Sequence, residues 1–229
     1  DLDSVKAFAD QFEGRLDVLV NNAGIMTPPH SLSKQGHESQ FATNHLGHFA
    51  LTGLLLDRIG KGRAPRVVTV SSLAHGRGAI HFDDLTGERG YSPMKFYAQS
   101  KFANMLFALE LDRRLRLAGS PIRSIVAHPG LADTELLQSM SAPLRLIGGV
   151  VAPLLTQPAA AGALPQLYAA TDPRAESGQY FGPDGKKARK GWPTLEAPVP
   201  TAKDPETARR LWELSEELTG VRFPLPATV

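Results

Sequence analysis

Tyr97-Ala98-Gln99-Ser100-Lys101 sets a phenol and an ammonium four positions apart. In a helix that spacing puts both side chains on one face, a turn apart. A phenol ordinarily loses its proton near pH ~10. A nearby ammonium favours the phenolate and draws that value down. Such a tyrosine can exchange a proton with an alcohol or carbonyl oxygen. Taken alone, a Tyr-x-x-x-Lys pair is common, and most are surface helix residues. Three further clusters accompany this one: Asn21-Asn22-Ala23-Gly24, Ser71-Ser72 and His128-Pro129-Gly130. Each is small, polar and turn-forming, and each follows a β-rich run. Singly, each is also what any strand-to-helix turn uses. In open α/β sheets, though, ligands bind beyond the carboxyl ends of strands, and here three such ends gather.

The elements that must position these residues alternate. Apolar β-rich runs occupy Asp17–Val20, Arg66–Val70, Ile122–Ala127 and Gln179–Phe181. Helical periodicity marks Ser4–Phe12, a stretch from about Glu38 to Ile59, and another from about Phe96 to Leu117. Strands alternating with helices of this length predict a parallel sheet of βαβ units. The strands read as continuous apolar runs, as expected when helices cover both sheet faces. Neither a repeat nor a dividing linker is visible, so residues 1–229 read as one domain. The last helix is delimited by Asp204 as N-cap, Pro205 at its first position and Gly220 as stop. The Pro-, Gly- and Lys-rich segment Gly182–Lys203 reads as surface loop, its basic run Lys186, Lys187, Arg189 and Lys190 solvated.

Composition narrows the function classes. Twenty-five basic against 23 acidic residues leave a formal charge of +2, which gives no footprint for nucleic acid. The chain has no cysteine, which excludes disulfides, thiolate catalysis and cysteine metal sites and is compatible with a reducing, cytoplasmic setting. No apolar run reaches the length of a membrane span. His45 and His48 lie three apart on a helix without an obvious third metal ligand. Asp83 and Asp84 belong to a solvated insertion between Ser72 and Tyr97.

In combination the motifs resemble the short-chain dehydrogenase/reductase superfamily. Asn21-Asn22-Ala23-Gly24, Asn44 in the following helix, Val70-Ser71-Ser72, Tyr97-x-x-x-Lys101 and Pro129-Gly130-x-x-x-Thr134 stand in the family's order along the whole chain. The stretches VVTVSSLAHGRG, HFDDL, YAQSKFANMLFALEL and ARRLWELSEELTG are most similar to its retinol-dehydrogenase-like group. The implied fold is α/β, a Rossmann-like doubly wound parallel sheet. The implied activity is nicotinamide-dependent interconversion of a small lipophilic alcohol and its aldehyde or ketone. Many members of that group prefer NADP(H), which puts NADP(H) ahead of NAD(H).

The resemblance also implies roles. Tyr97 is the general acid in reduction and the base in oxidation. Lys101 lowers the tyrosine pKa and holds the nicotinamide ribose. Ser72 binds the substrate oxygen, whereas Ser71 is structural. Asn44 completes a proton relay through water to Lys101. Asn22, Ala23 and Gly24 line the cofactor, while Pro129, Gly130 and Thr134 meet its nicotinamide side. Residues from about Glu135 to Leu155 correspond to a substrate lid, and their apolar content suits a greasy substrate or simply core. In many members the two central helices pair in a homodimer. Leu54, Leu55, Phe102 and Leu106 would permit that, and internal packing would explain them equally.

Two alternatives to this enzyme remain. One is a shortened, non-catalytic relative serving as a binding module, against which the intact Ser72, Tyr97 and Lys101 weigh. The other, an epimerase or dehydratase of the extended type, usually carries a larger C-terminal region.

The chain departs from the family pattern at its start, where a first βαβαβ portion with a TGxxxGxG turn is expected. At ~30 residues per βαβ unit, roughly 60–70 residues of that pattern are missing. The turn normally carries the cofactor pyrophosphate at a helix N-terminus. Without its usual neighbour, the Asp17–Val20 strand becomes a bare apolar edge. The 229-residue chain by itself is therefore expected to be poorly stable and to bind cofactor weakly or not at all. Monomeric, cooperative unfolding together with micromolar cofactor affinity would refute this.

Overall fold

The structure is a computed structural model that describes residues 1–133 and 157–228. Its elements run α1 (Leu2–Gln11), β1 (Val18–Asn21), α2 (Ser39–Phe41), a π-helical turn (Ala42–Leu46), α3 (Gly47–Gly60), β2 (Arg66–Val70), α4 (Pro93–Leu117) and β3 (Arg123–Ala127). There follow β4 (Ala132–Asp133), β5 (Gln157–Pro158), α5 (Ala159–Gly162), α6 (Leu164–Thr171), β6 (Tyr180–Pro183), β7 (Pro193–Glu196) and α7 (Pro205–Thr219). Five strands form one sheet in the order β1-β2-β3-β6-β7. The first four run parallel, with Val18 opposite Arg66 and Arg66 opposite Arg123; β7 is antiparallel to β6.

Helices cover both faces because the strands are apolar on both. Val67 packs with α3 and α4 through Phe49, Leu55, Phe107 and Leu111. Its neighbour Val68 faces the opposite way, toward Ala169 and Ala170 of α6, together with Ile125, Ala127 and Phe181. This two-sided burial, period two along each strand, makes the sheet doubly wound as expected. β1 pairs with β2 alone, and no described strand meets its other edge. Val20 is correspondingly exposed.

Strand and helix positions agree with the sequence reading to within a few residues. α4 begins at Pro93 rather than near Phe96, since Ser92-Pro93 supplies a start signal. The helix expected from about Glu38 to Ile59 is present but interrupted by the π turn. Glu38 caps its start, accepting from the backbone N–H groups of Gln40 (2.9 Å) and Phe41 (2.8 Å). The segment Gly182–Lys203 is not all loop. Pro193–Glu196 pairs with β6 as an edge strand, a position where proline is tolerated. Leu55, Phe102 and Leu106 are buried inside the chain, and Leu54 packs against the same core, so internal packing accounts for all four.

α7 follows its signals closely. The Asp204 carboxylate accepts from the N–H groups of Glu206 and Thr207, Pro205 opens the helix, and Gly220 ends it at φ +66°. Its apolar stripe docks Trp212 among Phe49, Phe107 and Phe223, with ring centroids 5.1, 5.8 and 4.5 Å away. The Arg114 guanidinium lies 4.4 Å from the indole and is held by Glu110 at 2.7 Å. Trp212→Ala empties the centre of this cluster and is expected to cost about 3–5 kcal/mol. Denaturant unfolding of the two forms measures the difference.

Candidate active site

α4 carries Tyr97 and Lys101 beneath the carboxyl ends of β1, β2 and β3. Both side chains are buried, and the Lys101 ammonium lies 5.9 Å from the centre of the Tyr97 ring. Lys101 Nζ donates to the carbonyl of Val70, the last residue of β2, at 3.3 Å. Ser71 ties the same helix to the strand end from the other direction: its hydroxyl donates to the Lys101 carbonyl (2.8 Å) and its N–H to Ala127 of β3 (2.8 Å). Ser72 lies half-buried above, accepting from the Ala74 N–H at 3.2 Å.

The loop after β1 closes on this pair. A Cβ at Gly24 would stand 3.4 Å from Lys101 Nζ and 3.1 Å from Asn44 Oδ1. A side chain there would crowd the Asn44 amide, and glycine leaves the loop close to the ammonium without that crowding. Asn44 holds the loop there: its Oδ1 accepts from the Ile25 N–H (2.8 Å), and its Nδ2 donates to the Ile25 carbonyl (3.0 Å) and to Ser100 Oγ (2.9 Å). Gln40, a turn earlier, accepts from the Thr27 N–H at 2.8 Å. Asn22 and Ala23 form the exposed lip of the loop. On the far side, Gly130 has φ +67°, and a Cβ there would collide with the Arg189 carbonyl. Its N–H donates to His128 Nδ1 at 3.1 Å.

The sequence-predicted residues thus fall in three groups. Asn44, Tyr97, Lys101 and Gly24 are brought into contact or near contact. Ser72, Pro129 and Gly130 stand half-buried at the ends of β2 and β3, with Asn22 and Ala23 at the end of β1. Thr134 and the apolar stretch 135–155 lie outside the described residues. Asp83 and Asp84 are in the exposed insertion, where Asp83 pairs with Arg89 at 3.2 Å.

Two details bear on the expected roles. The Tyr97 phenol stands above its ordinary value rather than below it. Burial raises the Tyr97 pKa and a hydrogen bond with Ser72 opposes the rise, while burial lowers Lys101 from 10.5 to about 8. Desolvation outweighs the pair's mutual influence because both groups lie in the interior. The second concerns Asn44. Its amide is committed to Ile25 and Ser100, so a relay through water has only its main chain to use. Sequence reading also passed over Gln40 and Ser100, and weighed His48 only as a metal ligand with His45; all three resemble ordinary helix residues until the partners across space are known.

A mostly parallel sheet with helices on both faces, and a candidate site beyond its carboxyl strand ends, is the Rossmann-like class of α/β proteins. The chain belongs to the short chain dehydrogenase family, whose pattern matches residues 2–144. It is 40% identical over 233 residues to human retinol dehydrogenase 13, covering 97% of this chain and 67% of that protein. Mouse polyprenol dehydrogenase is also 40% identical, over 228 residues, with 96% of this chain and 65% of the relative covered. The chain therefore spans about two thirds of the length of the curated relatives it matches. Among solved structures it resembles an uncharacterized protein from Mycobacterium paratuberculosis, 44% identical with a TM-score of 0.80, covering 98% of this chain and 74% of that one.

The displaced Lys101 pKa carries a stability consequence. The folded chain binds this proton only below about 8, whereas an ordinary lysine holds it to 10.5. The burial penalty is thus in full force below pH 8 and is relieved as pH rises toward 10.5. Lys101→Met is expected to stabilise the chain at pH 7 by about 2–3 kcal/mol, a gain that shrinks above pH 8 and is gone near 10.5. Paired melts across that range read it directly.

Proposed function

We propose that this chain forms the catalytic part of an NAD(P)(H)-dependent oxidoreductase that interconverts a lipophilic alcohol and its aldehyde or ketone. The observation that carries the reading is the Lys101 ammonium, buried beside Tyr97 without a carboxylate partner among the described residues. Burying a charge is costly unless it is paired, and a structural role would be served as well by an apolar side chain. A position under three strand ends, with glycine backbone against it, suits a site in which a bound group completes the ammonium's surroundings. The family membership and the kinship to retinol and polyprenol dehydrogenases support the substrate class.

In this reading Ser72 donates a hydrogen bond to the substrate oxygen and orients it. Tyr97 gives that oxygen its proton in reduction and takes it back in oxidation. Burial holds the phenol protonated, the form needed to act as an acid. Lys101 stabilises negative charge as the phenol gives up its proton and donates toward the cofactor ribose. Asn44, through Ile25, fixes Gly24 against the ammonium. Asn22, Ala23 and Gly24 line one side of the nicotinamide end, with Pro129 and Gly130 on the other; Thr134 joins them by its place in the motif. The nicotinamide, when bound, supplies or accepts the hydride. The likeness to the retinol-dehydrogenase group supports NADP(H) ahead of NAD(H) in this reading.

Tyr97→Phe removes one oxygen from a buried ring and is expected to leave the circular dichroism spectrum unchanged. Turnover of retinal with NADPH in the intact protein should fall by about 10²–10⁴-fold. Undiminished turnover in that variant would overturn the mechanism.

A further inference from the structure

Beneath Lys101 the interior is polar in a way that catalysis by Tyr97 and Ser72 does not require. Six of the buried atoms without a well-formed hydrogen bond among the described residues belong to it: Asn21 Oδ1, His45 Nδ1 (close to Asn104), both ring nitrogens of His48, Thr69 Oγ1 and Asn104 Oδ1. Buried polar atoms are rarely left so, because each has given up its hydrogen bonds to water. The six come from β1, β2, the π turn, α3 and α4, elements that pack on one another. Asn21 and Thr69 are register partners on β1 and β2. Both point toward α3 and α4, since Leu19 and Val67, two residues before them, pack on that side. From α4, Asn104 Nδ2 donates at 3.1 Å to the same Val70 carbonyl that Lys101 uses. From β1, Asn21 Nδ2 donates to Thr52 Oγ1 at 2.9 Å, and Thr52 in turn donates to the His48 carbonyl at 2.8 Å. The His48 ring approaches the Asn44 backbone without a well-formed hydrogen bond and is close enough to feel the Lys101 charge.

The chemistry of the orphans is one-sided. The two amide oxygens only accept, a neutral imidazole donates once and accepts once, and a hydroxyl does both. Lys101 donates one hydrogen bond, to the Val70 carbonyl, among the described residues and has further hydrogens to give. Acceptors are plentiful and donors scarce, which is the pattern internal water satisfies, each molecule making about three hydrogen bonds. We infer that His48 is a positioning residue for Lys101: with Asn21, Thr69 and Asn104 it holds internal water beneath the ammonium, solvating a charge that no carboxylate neutralises.

The surroundings leave few rivals for that role. On α4 the titratable neighbour is Tyr97, and α3 presents His48 with His45 beyond it. His75, in the turn after β2, bonds the Ser72 carbonyl at 2.7 Å. β1 and β2 present only amide, hydroxyl and carbonyl groups here, and α7 contributes the Ser215 hydroxyl to His45 at 2.8 Å. Burial lowers His48 to about 4 and His45 to about 3, so both are neutral near pH 7 and add no charge of their own.

The inference rests on Lys101 belonging to a proton-transfer pair, but its test does not pass through turnover. Lysine labelled at Cε reports the protonation of Lys101 by NMR, the resonance assigned with Lys101→Met. In the intact protein, His48→Leu is expected to lower the Lys101 midpoint by about one pH unit, as the layer dries and the ammonium loses solvation. His48→Gln, which can still donate and accept, should hold the midpoint within a few tenths. An unmoved midpoint in both variants, or the same shift in both, overturns the inference. If His48→Leu does not fold, Thr69→Val takes its place: it keeps its shape, removes one water partner and should also lower the midpoint, and no shift there is equally fatal. A Tyr97→Phe variant that keeps turnover would sink the proposed function and leave this titration unaffected.

Discussion

The Lys101 ammonium lies in the interior, held by a main-chain carbonyl and without a carboxylate among the described residues. Isolated charges in such surroundings are expensive, and much of the architecture around this one can be understood as a response. The end of β2 turns a carbonyl toward it. The loop after β1 approaches it through a glycine. α3 and α4 bring amides and imidazoles to the layer beneath. Each arrangement trades apolar packing for polar contact at the point where α4 meets the strand ends. The aromatic cluster around Trp212 and the two-sided packing of β2 and β3 supply the compensating burial elsewhere in the same layers.

The scaffold that achieves this was readable where the sequence states its physics locally. Asp204, Pro205 and Gly220 name the ends of α7 because capping depends on only a few neighbouring residues. The strands β2 and β3 were visible as apolar runs because both faces of the sheet are covered. β7 was not, since Pro193, Thr194, Leu195 and Glu196 carry no run and no clean alternation; pairing with β6 alone makes them a strand. The π turn at Ala42–Leu46 was hidden for a different reason. One extra residue in a helical turn hardly disturbs the spacing of apolar positions, although it changes which side chains face the strand ends.

At the site, residue types were legible and their electrostatics were not. Tyr97, Lys101, Gly24 and Asn44 could be picked out by order along the chain. That Asn44 spends its amide on Ile25 and Ser100, or that Lys101 is shifted by burial while leaving Tyr97 high, depends on depth and distance. Spacing along a helix carries neither. The same limit hid the surroundings of His48, visible in sequence only as a neighbour of His45; nothing nearby in the chain tells of Asn21, which reaches its carbonyl through Thr52.

The amide of Asn44 binds three segments at once: the loop after β1, its own helical turn, and α4 at Ser100, one residue before Lys101. Loop, π turn and α4 are therefore stitched at a single knot within a residue of the ammonium. Thermal opening that separates the two helices must break that knot, and with it the support of Gly24. Tyr97 and Lys101, a turn apart on α4, keep their places if the loop alone lets go, so the amides of Ile25 and Thr27, each held by one side chain, exchange ahead of those inside α4.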